Sequence, residues 1–439
     1  MKLSCVLACG LALGGFGMAV NSAMALDAPT TLHHTKSTSQ HLVKTRRAQK
    51  HHAVAHRTAK TAKARVQPVA KGAHQAKTSA QPATRKATRG SATVRRASYR
   101  TRRHQYYERF TASSYVTGEV GSGDITAGED PIVRQAAIDA LGNMNGTAVV
   151  IDPNSGRILA MVNQKLALSP GAEPCSTIKI TVAMAALSEG LVTRDTMVQL
   201  AGFRMNMTEA LAKSNNLYFE ELGRELGFER VRHYATEFGL GELAGYHIQG
   251  EQLGNYPDHP IPTAEGGVGR MCSFGQGVSL TPLQLGAYVA ALANGGTLYY
   301  LQHPTTADEA ASFQPKIKRK LDIARYIPDL QDGMAGAVEY GTARRLRTNF
   351  QELPVFGKTG TCSDNGTRFG WFASYSNTPQ GGLVTVFLLE GGRPTFGPRA
   401  AELTGEFYRN LWDRNYFTGK GSQEAQASVA SAGGEGASQ

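Results

Sequence analysis

The chain has 439 residues, which is enough for two or three average domains or for one large core with tails. Its net charge of +12 is unevenly distributed: residues 28–103 hold 19 Lys and Arg and no acidic residue, whereas residues 104–439 hold 27 basic and 34 acidic residues, a net charge of −7. This division argues against a single basic nucleic-acid-binding domain, and the lack of any run of 18 or more apolar residues after position 25 argues against a membrane bundle.

The first 25 residues have the features of a secretory signal peptide. Lys2 supplies a positive start, residues 5–20 are largely apolar, and residues 23–25 (AMA) form a small-x-small cleavage signal. Glycines interrupt the apolar stretch, which is also short for a membrane-spanning helix. We predict cleavage after Ala25; the alternative is an uncleaved anchor that keeps the protein membrane-associated. Both predict that the rest of the chain is exported to the periplasm or cell envelope.

Residues 26–105 form a basic, low-complexity arm, and residues 419–439 form a polar tail. Neither segment has enough large apolar side chains to offset the entropy of ordering, so we expect both to be disordered. The first interpretation of the arm is a solvated tether. The alternative is attraction to anionic wall polymer or a lipid surface, which would weaken as salt rises. Because the chain carries an export signal, no nucleic-acid partner is expected.

Between the arm and the tail, hydrophobic periodicity predicts an ordered domain over residues 106–418. In chain order the predicted elements are a helix at 130–141, strands at 147–152 and 158–162, helices at 176–187, 208–226, 229–238 and 282–294, strands at 355–362, 370–375 and 383–389, and a helix at 400–411. This order is not a β-α-β alternation. It predicts an α+β fold in which both ends of the chain build one antiparallel sheet and a helical lobe is inserted between them.

Residues 176–179 (STIK) place a hydroxyl and an amine three residues apart at the start of a predicted helix. Positions i and i+3 share a helix face, so both groups can face one cleft. The start of the helix adds backbone N–H donors and a field that favours negative charge. Taken alone, an S-x-x-K string more often marks an ordinary serine with a nearby lysine whose charge reaches solvent.

Two further segments have the residue types of the same kind of site. Residues 358–361 (KTGT) lie in a predicted strand, where a lysine among apolar residues needs a reason and a glycine often marks the close approach of a ligand. Residues 214–216 (SNN) interrupt a helical run, and alone they fit an interhelical turn equally well. The three segments in this order, on a helix, between helices and on a strand, are far more specific than any one of them.

With these motifs in this order, the chain resembles the transpeptidase domain of penicillin-binding proteins, the serine D,D-peptidases of peptidoglycan synthesis. The resemblance extends over nearly all of residues 130–415. Residues 148–162 (AVVIDPNSGRILAMV) resemble the family's first hairpin, and residues 273–285 (SFGQGVSLTPLQL) match a stretch typical of the large transpeptidases. Residues 341–343 (GTA) and 371–373 (WFA) also match. The resemblance implies the fold shared by serine β-lactamases and D,D-peptidases, with a five-stranded antiparallel sheet and an inserted all-helical lobe.

The resemblance implies catalytic roles for five residues. Ser176 matches the nucleophile that accepts the acyl group, and Lys179 matches its proton acceptor. A lysine can take a proton only when it is neutral, and burial near the second cation, Lys358, would lower its pKa in that direction. Ser214 matches the residue that relays a proton to the leaving amine, and Asn216 matches the one that holds the substrate amide.

The same motifs imply a binding site for the end of the peptide. Thr359 and Thr361, on either side of Gly360, match residues whose hydroxyls hold the terminal carboxylate with the help of the Lys358 charge. The backbone N–H groups of Ser176 and Thr361 would form the oxyanion hole. No metal or cofactor is expected, because no Cys/His cluster has the spacing of a zinc site.

Three cysteines remain after the predicted signal peptide, and each lies beside a motif. Cys175 stands immediately before the nucleophile candidate, where the family usually has glycine; Cys272 precedes residues 274–277 (FGQG), and Cys362 follows the KTGT segment. The first interpretation is three small buried hydrophobic side chains. The alternative hypothesis is a disulfide or a redox-sensitive thiol at the cleft.

The leading functional hypothesis is a monofunctional peptidoglycan D,D-transpeptidase. Ser176 would be acylated by a stem peptide ending in D-Ala-D-Ala, D-Ala would leave, and an amine of a neighbouring strand would take the acyl group; β-lactams would inhibit the enzyme. Residues 28–105 contain no glycosyltransferase-like region, so glycan polymerisation is not expected. The alternatives are a D,D-carboxypeptidase with water as acceptor, a serine β-lactamase, and a non-catalytic penicillin-binding module.

Overall fold

The computed structural model describes residues 110–378 and 381–418. The predicted signal peptide (1–25), the basic arm (26–105) and the tail (419–439) lie outside the described residues. Within the described part of the chain, no helix combines the length and the apolar character needed to cross a membrane.

The predicted helices and strands appear in the predicted order, and the structure contains further helices and short strands between them. The strands are β1 Gly146–Ile151, β2 Ile158–Val162, β3 Val198–Leu200, β4 Phe203–Met205, β5 Thr297–Tyr299, β6 Ile317–Lys320, β7 Phe356–Asp364, β8 Thr367–Thr378 and β9 Gly381–Gly391. The α-helices are α1 Pro131–Leu141, α2 Gln164–Ala167, α3 Lys179–Ser188, α4 Met207–Ala212, α5 Asn216–Glu237, α6 Gly267–Phe274, α7 Pro282–Ala293, α8 Ala307–Ala311, α9 Ile327–Glu339 and α10 Gly397–Asp413.

A five-stranded antiparallel sheet joins the two ends of the described chain. Its strand order is β2-β1-β9-β8-β7, so the early hairpin meets the late strands where β1 pairs with β9. Val149 of β1 lies opposite Met161 of β2 on one side and Val386 of β9 on the other. The predicted α+β fold, with one antiparallel sheet built from both ends of the chain, is confirmed.

The late strands extend further than their apolar runs predicted. Strand β7 continues to Asp364 and β8 begins at Thr367, with a two-residue turn between them. The turn residues, Asn365 (φ 47°) and Gly366 (φ 84°), both have the left-handed conformation that suits a tight hairpin. Pairing continues past the last apolar residue because the ladder hydrogen bonds join backbone groups and do not require apolar side chains.

The sheet is buried on both faces, because helices cover each of them. Val149 and Ile151 of β1 belong to the core formed with α7, whereas Ala148 and Val150 belong to the core formed with α1 and α10. Side chains alternate between the two faces along a strand, so neighbouring residues enter different cores. Burial on both sides explains why these strands are nearly continuous apolar runs in the sequence.

The inserted lobe lies between β2 and β7 and is mainly helical. It was predicted as all-helical, but it also contains two short two-stranded sheets, β3-β4 and β5-β6. These strands have only three or four residues each, which is too short for a clear periodic signal in the sequence. The helical segments predicted at 208–226 and 229–238 correspond to α4 and α5, and α5 has a kink at Gly227 (φ 74°).

Candidate active site

Ser176 lies on a tight turn that leads into α3. Cys175–Ile178 form one turn of 3₁₀-helix, and α3 begins at Lys179. The helix predicted at 176–187 therefore starts with a tighter turn, and the left-handed φ of Cys175 (52°) ends the right-handed helical path on its N-terminal side. Ser176 is half-buried, whereas the Lys179 side chain is fully buried one turn later.

The residues before Ser176 are held against the sheet. The indole N–H of Trp371 donates to the carbonyl of Glu173 at 2.9 Å, and the Thr177 hydroxyl donates to the carbonyl of Pro174 at 2.6 Å. A Cβ added to Gly360 would lie 2.7 Å from that Pro174 oxygen. Glycine at position 360 is therefore what allows β7 to approach the turn this closely.

The Lys179 amine is surrounded by oxygen atoms of three predicted site residues. Its Nζ lies 3.0 Å from Ser176 Oγ, 2.6 Å from Asn216 Oδ1, 3.0 Å from the Ser214 carbonyl and 3.2 Å from Ser214 Oγ. A neutral amine has two protons and one lone pair. It can donate to the amide and carbonyl oxygens, which only accept, and keep its lone pair for the Ser176 hydroxyl.

Ser214 and Asn216 reach Lys179 because the chain turns sharply between α4 and α5. Ser214 has a φ of 55°, in the left-handed region that a residue with a side chain adopts only at a cost. The next residue, Asn215, caps α5 by accepting the backbone N–H of Tyr218 at 3.0 Å. As a result both the carbonyl and the hydroxyl of Ser214 face the Lys179 amine.

Lys358 completes the cluster from β7. Its side chain is fully buried, and its Nζ donates to Ser214 Oγ at 2.8 Å and to the Thr359 carbonyl at 3.0 Å. The Ser214 hydroxyl therefore lies between two amines, those of Lys179 and Lys358. The structure brings all five predicted catalytic residues into one hydrogen-bonded chain that starts at Ser176 Oγ.

The two buried lysines have strongly altered proton affinities. Burial, followed by the Lys358 charge, lowers the pKa of Lys179 to about 6, and the negative charge of Glu220 opposes this to a smaller extent. Burial also lowers the pKa of Lys358 to about 7. Near neutral pH the Lys179 amine is therefore mostly uncharged, which is the state that can take a proton from a hydroxyl.

The two predicted carboxylate-binding threonines lie along β7 beside the start of α10. Thr361 is exposed, and its Oγ1 accepts the backbone N–H of Gly397 at 2.8 Å, which leaves the hydroxyl proton available to a ligand. Thr359 is buried, and its Oγ1 lies 2.6 Å from Thr342 Oγ1. The 17-residue helix α10 directs its N-terminal field towards this end of β7, which favours an anion there.

Thr342 is a site residue to which the sequence analysis gave no role. Besides the contact of its hydroxyl with Thr359, its backbone N–H donates to the Ala212 carbonyl at 3.2 Å. A Cβ on Gly341 would lie 2.1 Å from the same carbonyl oxygen, so this segment packs directly on the end of α4. The GTA match of residues 341–343 was the available signal, but it does not show that Thr342 connects the α4 end to β7.

A disulfide joins Cys175 and Cys362, whose Cα atoms are 5.5 Å apart. The first interpretation, three buried thiols, is wrong for this pair, and the alternative of a disulfide at the cleft is confirmed. Cys272 is buried and unpaired among the described cysteines, as that interpretation expected for it. The sequence places both bonded cysteines beside motifs, but their pairing depends on the packing of the Ser176 turn against β7.

A family model matches most of the residues that the structure describes. Residues 146–409 match the model described as the penicillin binding protein transpeptidase domain. The match covers more than half of the chain and includes every predicted site residue. The chain belongs to the family of penicillin-binding protein transpeptidase domains.

Two of the curated proteins that are similar to the chain match it over part of its length. Stage V sporulation protein D of Bacillus subtilis (strain 168) is 30% identical over 257 residues, which cover 49% of this chain and 39% of that protein. Peptidoglycan D,D-transpeptidase MrdA of Acinetobacter baumannii is 26% identical over 325 residues, which cover 57% of this chain and 47% of that protein. The chain thus spans less than half the length of these curated relatives.

A solved structure shows the same fold. The transpeptidase domain of Burkholderia pseudomallei penicillin-binding protein 3 superposes with a TM-score of 0.56 at 20% sequence identity. The superposition covers 66% of this chain and 96% of that domain. At this level of identity the similarity supports the architecture of the domain.

Proposed function

We propose that the protein is a peptidoglycan D,D-transpeptidase that forms an acyl-enzyme at Ser176. The observation that carries the proposal is the buried amine of Lys179, 3.0 Å from Ser176 Oγ, where burial and the Lys358 charge lower the pKa of Lys179 to about 6. A serine hydroxyl needs such a neutral base to become a nucleophile. The name of the MrdA relative, a D,D-transpeptidase, supports the same reaction class.

In the proposed acylation, Ser176 Oγ attacks the carbonyl carbon of the terminal D-Ala-D-Ala bond while Lys179 takes the hydroxyl proton. The C–N bond then breaks, and the proton reaches the leaving D-Ala amine through Ser214. Contacts of the Ser214 hydroxyl with both Lys179 and Lys358 support this route. The backbone N–H groups of Ser176 and Thr361 would hold the oxyanion, at about 3–4 kcal/mol per donor.

The proposed substrate contacts use the remaining site residues. The terminal carboxylate would lie near the Lys358 cation and the Thr361 hydroxyl, with Thr359 oriented by its hydrogen bond to Thr342. Asn216 uses its amide oxygen to accept from Lys179, so its NH₂ group remains to hold a carbonyl of the stem peptide. The same contacts would bind the carboxylate of a β-lactam.

The acceptor in the second step distinguishes the leading proposal from a carboxypeptidase. We propose that an amine of a neighbouring stem peptide attacks the acyl-enzyme, restores Ser176 and forms the cross-link. Incubation of the protein with a D-Ala-D-Ala stem peptide and an amine acceptor, followed by mass analysis, tests this choice. A cross-linked product supports transpeptidation, whereas free acid as the sole product would assign the protein to the carboxypeptidases.

We further propose that the protein acts in the cell envelope. The predicted signal peptide supports export, and the Cys175–Cys362 disulfide supports an oxidising compartment, where such bonds persist. The 19 basic residues of 28–103 would attract the arm to anionic wall polymer or lipid headgroups.

The decisive experiment is intact-protein mass spectrometry of the full chain with and without a penicillin, with Ser176→Ala as the matched variant. The proposal expects a stable adduct of one drug mass that Ser176→Ala does not form. Hydrolysed drug with unmodified protein would indicate a β-lactamase. Intact drug with unmodified protein would indicate a binding module without catalytic activity.

A further inference from the structure

The Cys175–Cys362 disulfide connects the two segments that present backbone N–H groups to the proposed oxyanion. Cys175 directly precedes Ser176, and Cys362 directly follows Thr361. The bond therefore joins the turn that carries the nucleophile to the strand that faces it. Because no step of the acyl transfer uses a sulfur atom, the bond needs a separate explanation.

The backbone of Cys175 supplies that explanation. Its φ of 52° lies in the left-handed region, which glycine adopts freely and a residue with a Cβ adopts only at a cost in free energy. Cys175 is 1% exposed, so solvent does not stabilise this conformation. Something in the fold has to hold position 175 in its observed conformation.

The contacts around the turn act on the neighbours of Cys175. Trp371 holds the carbonyl of Glu173, and Thr177 holds the carbonyl of Pro174. Gly275 lets another loop approach, since a Cβ there would lie 2.6 Å from Pro174 Cγ. The disulfide differs from these contacts because it constrains the side chain of residue 175 itself.

We infer that the Cys175–Cys362 disulfide is a positioning element for acyl transfer, which holds Cys175 in the left-handed conformation that presents Ser176 to β7. The inference rests on the proposed function. Breaking the bond should slow acylation, because the Ser176 hydroxyl and N–H lose their alignment. It should leave non-covalent penicillin binding nearly unchanged, because Lys358 and Thr361 remain in place on β7.

The bond is open to reduction from the side of Cys362. This residue is half-buried between Thr361 and Ser363, which are both exposed, whereas Cys175 is buried. A thiolate of dithiothreitol can attack the Cys362 sulfur and release the Cys175 thiolate. The second thiol of the reagent then closes on the mixed disulfide, so the protein gains two electrons and two protons and the reagent is oxidised to its cyclic disulfide.

The test measures acylation of the full chain by a fluorescent penicillin in stopped flow, which separates the acylation rate constant from the dissociation constant of the non-covalent complex. Cys362→Ala is expected to lower the rate constant by about 10- to 100-fold and to change the dissociation constant by less than about 3-fold. Dithiothreitol should have the same effect on the wild type. Cys272→Ala, which removes the unpaired thiol, is the matched control and should behave as the wild type in both redox states.

A rescue variant separates positioning from general stability. In Cys175→Gly/Cys362→Ala, glycine adopts the left-handed conformation without a covalent bond. The acylation rate constant should therefore return to within about 5-fold of the wild type, and dithiothreitol should not change it. Circular dichroism at the assay temperature gives the folded fraction of each variant. Rates are then compared per folded molecule.

The outcomes separate this inference from the proposed function. Equal acylation rates with the bond intact and broken would overturn the positioning role and leave the acyl-transfer function standing. A slow rate that glycine at position 175 does not restore would also overturn it. A wild type that forms no covalent adduct in either redox state would refute the acyl-transfer function, and the positioning role with it.

Discussion

Two lysine side chains, Lys179 and Lys358, are fully buried around one serine hydroxyl, that of Ser214. Burial of two like charges is costly, so a fold selected for stability alone would not place them together. Here the cost has a chemical consequence, because each lysine loses proton affinity and Lys179 becomes a base near neutral pH. Perturbed pKa values of this kind cluster at functional sites.

Substitution of Lys179 by arginine tests the role of the neutral amine. Lys179→Arg replaces an amine that is mostly uncharged near neutral pH with a guanidinium that does not lose its proton in proteins. We expect the acylation rate by penicillin to fall by at least about 1000-fold, measured as the rate of adduct formation. Lys320→Arg, at an exposed position of β6, is the control and should react as the wild type does. Rapid acylation of Lys179→Arg would exclude Lys179 as the base.

The two shifted lysines also predict the pH dependence of acylation at low penicillin concentration. Below pH about 6, Lys179 is protonated and has no lone pair, so the rate rises with pH through its pKa of about 6. Above pH about 7, Lys358 loses the charge that attracts the carboxylate, so the rate falls again. In Lys358→Arg the cation persists at all pH values, and the falling limb should disappear. A falling limb that persists in this variant would assign it to another group.

At the scale of elements, the site depends on two turns in unusual conformations. The turn before α3 and the turn between α4 and α5 each contain a residue with a side chain and a positive φ, Cys175 and Ser214. Sequence patterns predicted the helices that flank these turns. They did not predict the turn conformations, because a left-handed residue is expected to be glycine and neither residue is one.

The close contact between β7 and the Ser176 turn predicts that a methyl group added at Gly360 destabilises the fold. In Gly360→Ala the added carbon would meet the Pro174 carbonyl oxygen at 2.7 Å, so the turn has to move away from the strand. We expect the free energy of unfolding, measured with urea, to fall by about 1–3 kcal/mol, together with a slower acylation. Ser363→Ala, at an exposed position of the same strand, should change neither quantity. Unfolding of Gly360→Ala at the wild-type urea concentration would show that the contact is not tight.

At the scale of the whole molecule, the charge of the chain divides into a basic arm and an acidic remainder. Catalysis and surface attraction should therefore respond differently to salt. The buried lysines of the proposed site, Lys179 and Lys358, should respond weakly to screening, whereas solvent-exposed charges, such as those predicted for the arm, are screened beyond about 10 Å at 0.1 M salt.

The salt dependence of vesicle binding and of acylation therefore distinguishes the proposed role of the arm from that of the site. Binding of the full chain to vesicles containing anionic lipid should weaken by at least about 10-fold between roughly 0.05 M and 0.3 M salt. Acylation by a soluble penicillin should change by less than about 2-fold over the same range. A chain without residues 28–103 is the control and should bind the vesicles weakly at both salt concentrations. Salt-independent vesicle binding by the full chain would contradict electrostatic attraction by the arm.

The sequence by itself determined the motifs, their order and the elements that carry them. These depend on local geometry: the i and i+3 spacing of Ser176 and Lys179 holds on any helical turn, and apolar runs mark the strands of a sheet covered on both faces. The predicted fold class and the family resemblance followed from that order. Local patterns predict no more than this, because they carry no information about the distances between segments that lie far apart in the chain.

Only the tertiary structure decided which of these segments meet. Lys179 and Lys358 reach Ser214 across 35 and 144 positions, and the disulfide spans 187. Such contacts form because the inserted lobe packs its α4–α5 turn and the start of α3 against the edge of a sheet made from both ends of the chain. That packing sets the pKa of Lys179 and pairs Cys175 with Cys362, since burial and neighbouring charge exist only in the folded chain.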